Sequence, residues 1–292
     1  MSRGAHQKPA LARARRRGFT LPLVVMVLLI VGMLLVLLTQ RMVDQALAAK
    51  RQTDAYVFHH VSLGIQEAVE AWVDSNGKRP LIESLGPDGA AFELIVEGGQ
   101  RVNVRFRDAQ GFALGELSGL RENQAAIAAG VMVSLVEALG PEKAGQYIRS
   151  DGPISVSVGS APEAVLMAVV SSVTGGDGAE DLVAQLMRAR ETTILTEEEL
   201  TGIIDGSGFE PDQANALRQL LTATPQLWEV VAEAEPLPGS VLTAKRIRYG
   251  GLAQLSAQSR TRSPQERISL ERRSRFIRWR ELTDDEGVGR PL

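Results

Sequence analysis

From Phe19 to Leu38 the chain reads FTLPLVVMVLLIVGMLLVLL, a run without a charge. At about 1.5 Å per residue it spans a hydrocarbon core of about 30 Å, so the pattern predicts a membrane helix. A buried core helix of that length normally keeps a polar stripe, and this run has none. Further on, apolar positions recur at helical spacing as Val57, Val61, Ile65, Val69 and Trp72, with charged and polar residues between them. One helix is therefore expected to run through both patterns for roughly 80 Å. It should stop near Asp74-Ser75-Asn76-Gly77, with Pro80 following.

The period then shortens to two. Val102, Val104 and Phe106 alternate with Arg101, Asn103, Arg105 and Arg107, and Gly98-Gly99 separates this run from AFELIV, which predicts a tight β-hairpin. Residues 122–139 read as a helix ending at Gly140-Pro141. About four short helices are expected between Ile154 and Thr222. Their punctuation is Pro162 in an opening turn, Gly175-Gly176-Asp177-Gly178 as a loop, Thr196 with Glu199 as a capping box, and Pro211 in a first turn before Pro225. LWEVVAEAE, VLTAKRIRYGGLAQLSAQ and ISLERRSRFIRWREL predict three or four strands, and Asp284 to Leu292 a frayed tail. The fold class expected is α+β.

Composition and charge add direction. Among 292 residues there is no cysteine, which removes disulfides, thiolate metal sites and thiol nucleophiles. Residues 1–43 contain no Asp or Glu, while Arg3, Lys8, Arg13, Arg15, Arg16, Arg17 and Arg41 are basic. The basic block precedes the apolar run, so residues 1–17 are expected in the cytoplasm and everything after Arg41 across the membrane. In a bacterium with two membranes this is a single pass of the inner membrane with a periplasmic body. Without the six Lys and Arg before Gly18, the formal charge of −3 becomes about −9, which does not suit a nucleic-acid binder.

Catalytic chemistry finds little to build on. His6 lies in the basic segment, and the adjacent His59 and His60 point about 100° apart on a helix, so they cannot share an ion as residues four apart would. There is no H-E-x-x-H, no G-x-S-x-G and no phosphate loop. Glu197-Glu198-Glu199 with Asp205 reads as the first turn of a helix rather than a calcium site. Eleven Lys and Arg within residues 245–280 read as a solvated strand face or a contact with acidic partner subunits. No enzyme activity, cofactor or metal site is expected.

The junction Arg15-Arg16-Arg17-Gly18-Phe19-Thr20-Leu21 has no small-residue cleavage site on the far side of the span, as a secretory signal would. It resembles the prepilin leader of the type IV pilin-like superfamily. That resemblance implies cleavage between Gly18 and Phe19 by prepilin peptidase and N-methylation of Phe19. Most members carry Glu as the fifth mature residue, where it neutralises the terminal ammonium of a neighbouring subunit; here Leu23 stands in that place. An uncompensated charge in hydrocarbon costs at least about 2.5 kcal/mol, so Leu23 is the expected determinant of a tip position.

Within the superfamily the chain is similar to general secretion pathway protein K, the K-type minor pseudopilin of type II secretion. VNVRFRDAQG (residues 102–111) resembles a strand and turn closed by Asp108 and Gly111. VSVGSAPEAVL (residues 156–166) resembles the Asn-x-Asn-Thr-Ala-Pro segment opening a helical insertion, with Ser157, Gly159 and Ser160 substituted and Ala161 and Pro162 kept. LWEVVAEAE and FIRWREL resemble the strands that return to the sheet and end it. The resemblance implies a pilin-like long helix on a small antiparallel sheet with an inserted all-helical domain. The expected divisions are a leader (1–18), membrane helix (19–38), continuing helix (39–76), hairpin (77–121), helical insertion (122–224), terminal strands (225–283) and tail (284–292). It further implies other minor pseudopilins, the pseudopilus, prepilin peptidase and the inner-membrane secretion platform as partners. Calcium accompanies the helical part in some members, with no ligands assignable here. Two alternatives stay open: a tip minor pilin of a type IV pilus or DNA-uptake machine, and a plain membrane-anchored periplasmic enzyme or binding module.

Overall fold

A computed structural model describes residues 20–75, 81–96, 100–237, 247–259 and 270–282. Helix α1 (Thr20–Ser75) runs uninterrupted for 56 residues. Pro22 lies in its first turn, where no intrahelical N–H partner is sacrificed. The chain divides into two compact units at Val61/Ser62. In the first, positions 21–60 of α1 are all exposed, including the whole apolar run from Leu21 to Leu38. The helix is long and apolar enough to cross a membrane.

In the second unit the last turns of α1 bury Ile65, Val69 and Val73, while Trp72 is half-buried with its ring centroid 5.3 Å from those of both Phe92 and Phe106. The sequence stripe named Trp72 and missed Val73. At 3.6 residues per turn both share the buried side, and the smaller side chain goes deeper. The helix is described as far as Ser75, whose hydroxyl donates to the Trp72 carbonyl at 2.8 Å; Asn76, Gly77 and Pro80, where it is expected to stop, lie outside the described residues.

After α2 (Leu81–Ser84), a turn at Pro87–Gly89 puts Asp88 at φ 58° and Gly89 at φ 73°. Strands β1 (Ala90–Val96) and β2 (Gln100–Asp108) pair antiparallel with Val96 opposite Gln100, as the alternation predicts; Gly98-Gly99 lies outside the described residues. The chain then leaves the sheet through β3 (Ala113–Leu114), α3 (Glu122–Leu139), α4 (Pro141–Ala144), β4 (Ile148–Arg149) and β5 (Val156–Ser157). Helices α5 (Glu163–Thr174), α6 (Ala179–Thr192), α7 (Glu197–Gly206) and α8 (Pro211–Leu220) follow, then β6 (Leu221–Thr222). They share a core that includes Val165, Leu166, Leu182, Leu186, Ile204 and Leu217, each worth about 1.5–3 kcal/mol on burial. The expected punctuation is visible: α5 starts after Pro162, Gly175 at φ 69° ends it, Thr196 and Glu199 form a capping box, and Pro211 opens α8.

Strands β7 (Leu227–Pro236), β8 (Ile247–Ser259) and β9 (Leu270–Leu282) return to complete an antiparallel sheet of order β1-β2-β7-β8-β9. The tail 284–292 lies outside the described residues. Val102, Val104 and Phe106 are buried on the side facing residues 62–75 of α1, where the Trp279 indole also donates to the Ser62 hydroxyl at 2.7 Å. The other side carries ion pairs: Arg101–Glu93 at 3.0 Å, Arg107–Glu229 at 4.0 Å and Arg248–Glu233 at 3.1 Å. The half-exposed Arg101–Glu93 pair sets register more than it stabilises, whereas Arg248 and Glu233 are mostly buried. Together these elements make an α+β fold.

Gly250 and Gly251 in β8 have a packing reason. Leu282 lies over Gly250, where an added Cβ would come within 2.8 Å of it, and Trp279 lies over Gly251, where a Cβ would also be 2.8 Å from the Arg278 carbonyl oxygen. Phe276 packs on Trp279 edge to face at 4.9 Å. Gly251→Ala is thus expected to cost about 1–3 kcal/mol in chemical denaturation. Gly202→Ala, at a helical position where a Cβ meets nothing, is expected to gain up to about 1 kcal/mol.

Candidate functional site

Two places concern function: the N-terminal end of α1 and the neck where the helical insertion leaves the sheet. Gly18 and Phe19, the expected cleavage and methylation positions, lie outside the described residues. Leu23 is on α1 and 58% exposed, and the first turn of that helix holds no acid. Nothing charged lies between Thr20 and Gln40. Further along α1 the rings of Tyr56 and His60 are 4.2 Å apart and those of His59 and His60 5.7 Å. Among the described residues no group of three His, Asp or Glu is placed to hold a metal ion.

The neck is built where β2 ends and β7 begins. Asp108 closes β2, and its carboxylate accepts from the Gln110 amide at 2.8 Å and from the Ser157 hydroxyl at 2.5 Å. Gln110 is fully buried. Its side-chain NH2 donates to the Ser155 carbonyl at 2.9 Å and hydroxyl at 2.8 Å, and its side-chain oxygen accepts from the amides of Gln226 at 2.6 Å and Leu227 at 3.1 Å. One side chain thus fastens the exit strand, the 149–156 loop and the returning strand.

Arg149 is the second fastening, buried on the short parallel pair that β3 and β4 make. Its guanidinium donates to four carbonyl oxygens: Phe112 at 2.9 Å, Asp151 at 2.5 Å, Ser155 at 3.0 Å, and Pro153. Burial pulls its pKa down to about 10, against the pull of Asp108 and Asp151, so it remains a cation at neutral pH. Burial pushes the Asp108 carboxyl above its ordinary range; its hydrogen bonds to Ser157, Gln110 and Ser160 and the charge of Arg149 oppose this.

The two internal segments that carried the resemblance meet here. Besides the Asp108–Ser157 bond, the Ser157 amide donates to the Gln110 carbonyl at 3.0 Å. A Cβ on Gly111 would stand 2.6 Å from the Ser160 hydroxyl and 2.7 Å from its carbonyl oxygen, so this crossing requires glycine. Beyond them, β5 pairs in parallel with β6 at the insertion's exit. Arg149 and Gln110 escaped the sequence reading, and no side-chain pattern sets Arg149 apart from Lys143, Arg188, Arg190 and Arg218 of the insertion.

The acidic cluster divides among structural partners. Glu197 accepts from the Thr222 hydroxyl at 2.6 Å and the amides of Ala223 and Thr224 at 2.9 and 2.8 Å, Glu199 caps α7, and Asp205 pairs with Arg218. Compared with models of known protein families and with curated proteins, the chain matches none.

Arg149→Ala would orphan four carbonyls and leave Asp108 buried without its cation, an expected loss of about 3–5 kcal/mol by urea denaturation. Arg149→Lys should restore little, because an ammonium cannot reproduce the planar fork. For Asp108 the native carboxyl binds its proton more tightly than the unfolded one. Its contribution to stability therefore grows as pH falls from neutrality through the native value and levels off below the ordinary 3.8. The stability of the wild type relative to Asp108→Asn is expected to rise on acidification, measured by denaturation at a series of pH values.

Proposed function

We propose that this chain is a minor pseudopilin of a type II protein secretion system, of the K type, which caps or initiates the pseudopilus tip by subunit packing after its leader is cleaved. The observation that carries the reading is an apolar helix without a charge from Thr20 to Gln40, set directly behind Arg15-Arg16-Arg17-Gly18-Phe19. Cleavage between Gly18 and Phe19 leaves a terminal ammonium at the start of that helix. In a stack of such subunits the ammonium of one is matched by a carboxylate in the next, and Leu23 offers none. A neighbour placed above this chain would bury an unmatched cation at a cost of at least about 2.5 kcal/mol, so the chain fits only the top.

An α+β body with a helical insertion between β2 and β7 supports the same reading, because it supplies surfaces for packing. The body lies in the periplasm, and assembly draws the apolar helix out of the inner membrane. A tip minor pilin of a pilus or DNA-uptake machine would use the same physics, and the partners recovered with the chain separate the two.

The test is the mass of the N-terminal peptide of the protein purified from its native membrane. The expected result is a chain that starts at N-methylated Phe19. A chain that retains residues 1–18 would overturn the reading and leave an anchored protein of another class.

A further inference from the structure

Strand β9 ends the sheet on one side, and among the described residues no strand pairs with its outer edge. It is 13 residues long, against about 5–6 for an average strand. It also outruns the sheet: Leu227 at the start of β7 meets Gln254, while Leu255 to Ser259 of β8 pair, among the described residues, with β9 alone. The opposite edge is shorter. Strand β1 has 7 residues, a bulge between Ala90 and Phe92, and a Glu93 matched to Arg101. Short length and a bulge are usual ways in which an edge is closed to further pairing; β9 also has a register shift, Leu252 meeting Arg278 and Ala253 meeting Phe276, but it is not short.

Charge indicates what would fit. Within β9 Arg272, Arg273, Arg275, Arg278 and Arg280 outnumber Glu271 and Glu281. Arg275, Arg278 and Arg280 are exposed, whereas Phe276 and Trp279 are half-buried on the apolar side. Arg278 already holds a carboxylate, that of Asp151 at 2.7 Å. The sheet also displays a strand type that satisfies basic neighbours. In β7, Glu229 and Glu233 alternate with buried Trp228, Val230, Ala232 and Ala234, and they meet Arg107 on one side and Arg248 on the other. A second β9 laid against the first would set arginine beside arginine, which disfavours a copy of this chain as the occupant.

We propose that the outer edge of β9 is completed by an extended segment of a partner protein in which Asp or Glu alternates with apolar residues. Backbone hydrogen bonds would supply the affinity, the arginines would read the acids, and Phe276 and Trp279 would cover the apolar side chains. The proposal goes beyond the pseudopilin reading and stands apart from it, because an uncut leader would sink that reading and leave this edge unchanged.

The probe is an acetylated peptide of alternating Val and Glu, titrated into the full chain in detergent at low salt. Saturable binding is expected, weakened about tenfold or more by Arg275→Glu with Arg280→Glu and abolished when the peptide amides that face β9 are N-methylated. The double variant's unfolding midpoint, measured alongside, must stay unchanged for its loss of binding to count. Three results would overturn the proposal: no saturable binding, binding indifferent to N-methylation, or binding that emerges only when residues 283–292 are deleted, which would make the chain's own tail the occupant. Self-association of the chain abolished by the same two substitutions would overturn it as well, in favour of a second copy.

Discussion

The guanidinium of Arg149 and the carbonyl oxygens it gathers are what allow a helical body to be inserted into this sheet. Strands β2 and β7 are neighbours in space, yet the whole chain from Ala109 to Gln226 lies between them. The connecting loops cross at the neck with irregular backbone, so their carbonyls have no ladder to join. A buried polar group left unpaired costs about 1–3 kcal/mol, and four of them here would cancel the gain from several core side chains. A planar fork with five N–H donors answers four carbonyls from one position. Gln110 does the same for two amides and a serine, and Asp108 balances the charge. The polar neck thereby keeps the sheet register unbroken across the insertion.

Helix α1 carries two patterns along its length. From Leu21 to Leu38 it displays Leu, Val and Met on every side, a composition stable only where lipid or other helices replace water. Its last turns carry a single apolar line, Ile65-Val69-Val73, and spend it on the sheet. The same residue types thus have opposite meanings, and the number of apolar sides decides between them. The proposed tip role depends on the first regime, since the worth of a missing carboxylate at Leu23 comes from the low dielectric around it.

Legibility followed period and length. The charge-free run of α1, the alternation of β2 and the capped helices α5 to α8 were readable because each repeats a pattern over several turns or pleats. Strands β3 to β6, two residues each, carry no period and were invisible, although they zip the insertion to its neck. The significance of Arg149 was hidden for another reason: its partners are backbone carbonyls, which every residue has, so no side-chain spacing announces them. Glu197 shows the converse. Its place in an acidic run was plain, but its task of collecting the amides after β6 depends on a tertiary contact with a segment that returns 25 residues later in the chain.

Charge also explains why the strands take the order they do. The side of the sheet away from α1 carries Arg101, Arg105 and Arg107 on β2, Glu229, Glu233 and Glu235 on β7, and Arg248 on β8. Arg101 stands opposite Glu235, Arg107 opposite Glu229, and Glu233 opposite Arg248. Were β9 to take the place of β7, arginines would face arginines across the ladder, and like charges directly opposite destabilise a pair. A slip of one residue would instead turn Val102, Val104 and Phe106 to water. The acidic strand is therefore the member that can lie centrally, and the most basic strand is left at the edge. There its charge repels its own kind and finds one acid of the insertion, Asp151, through Arg278. The order that stabilises the sheet is thus the same order that leaves a long, cationic and half-apolar edge facing outward.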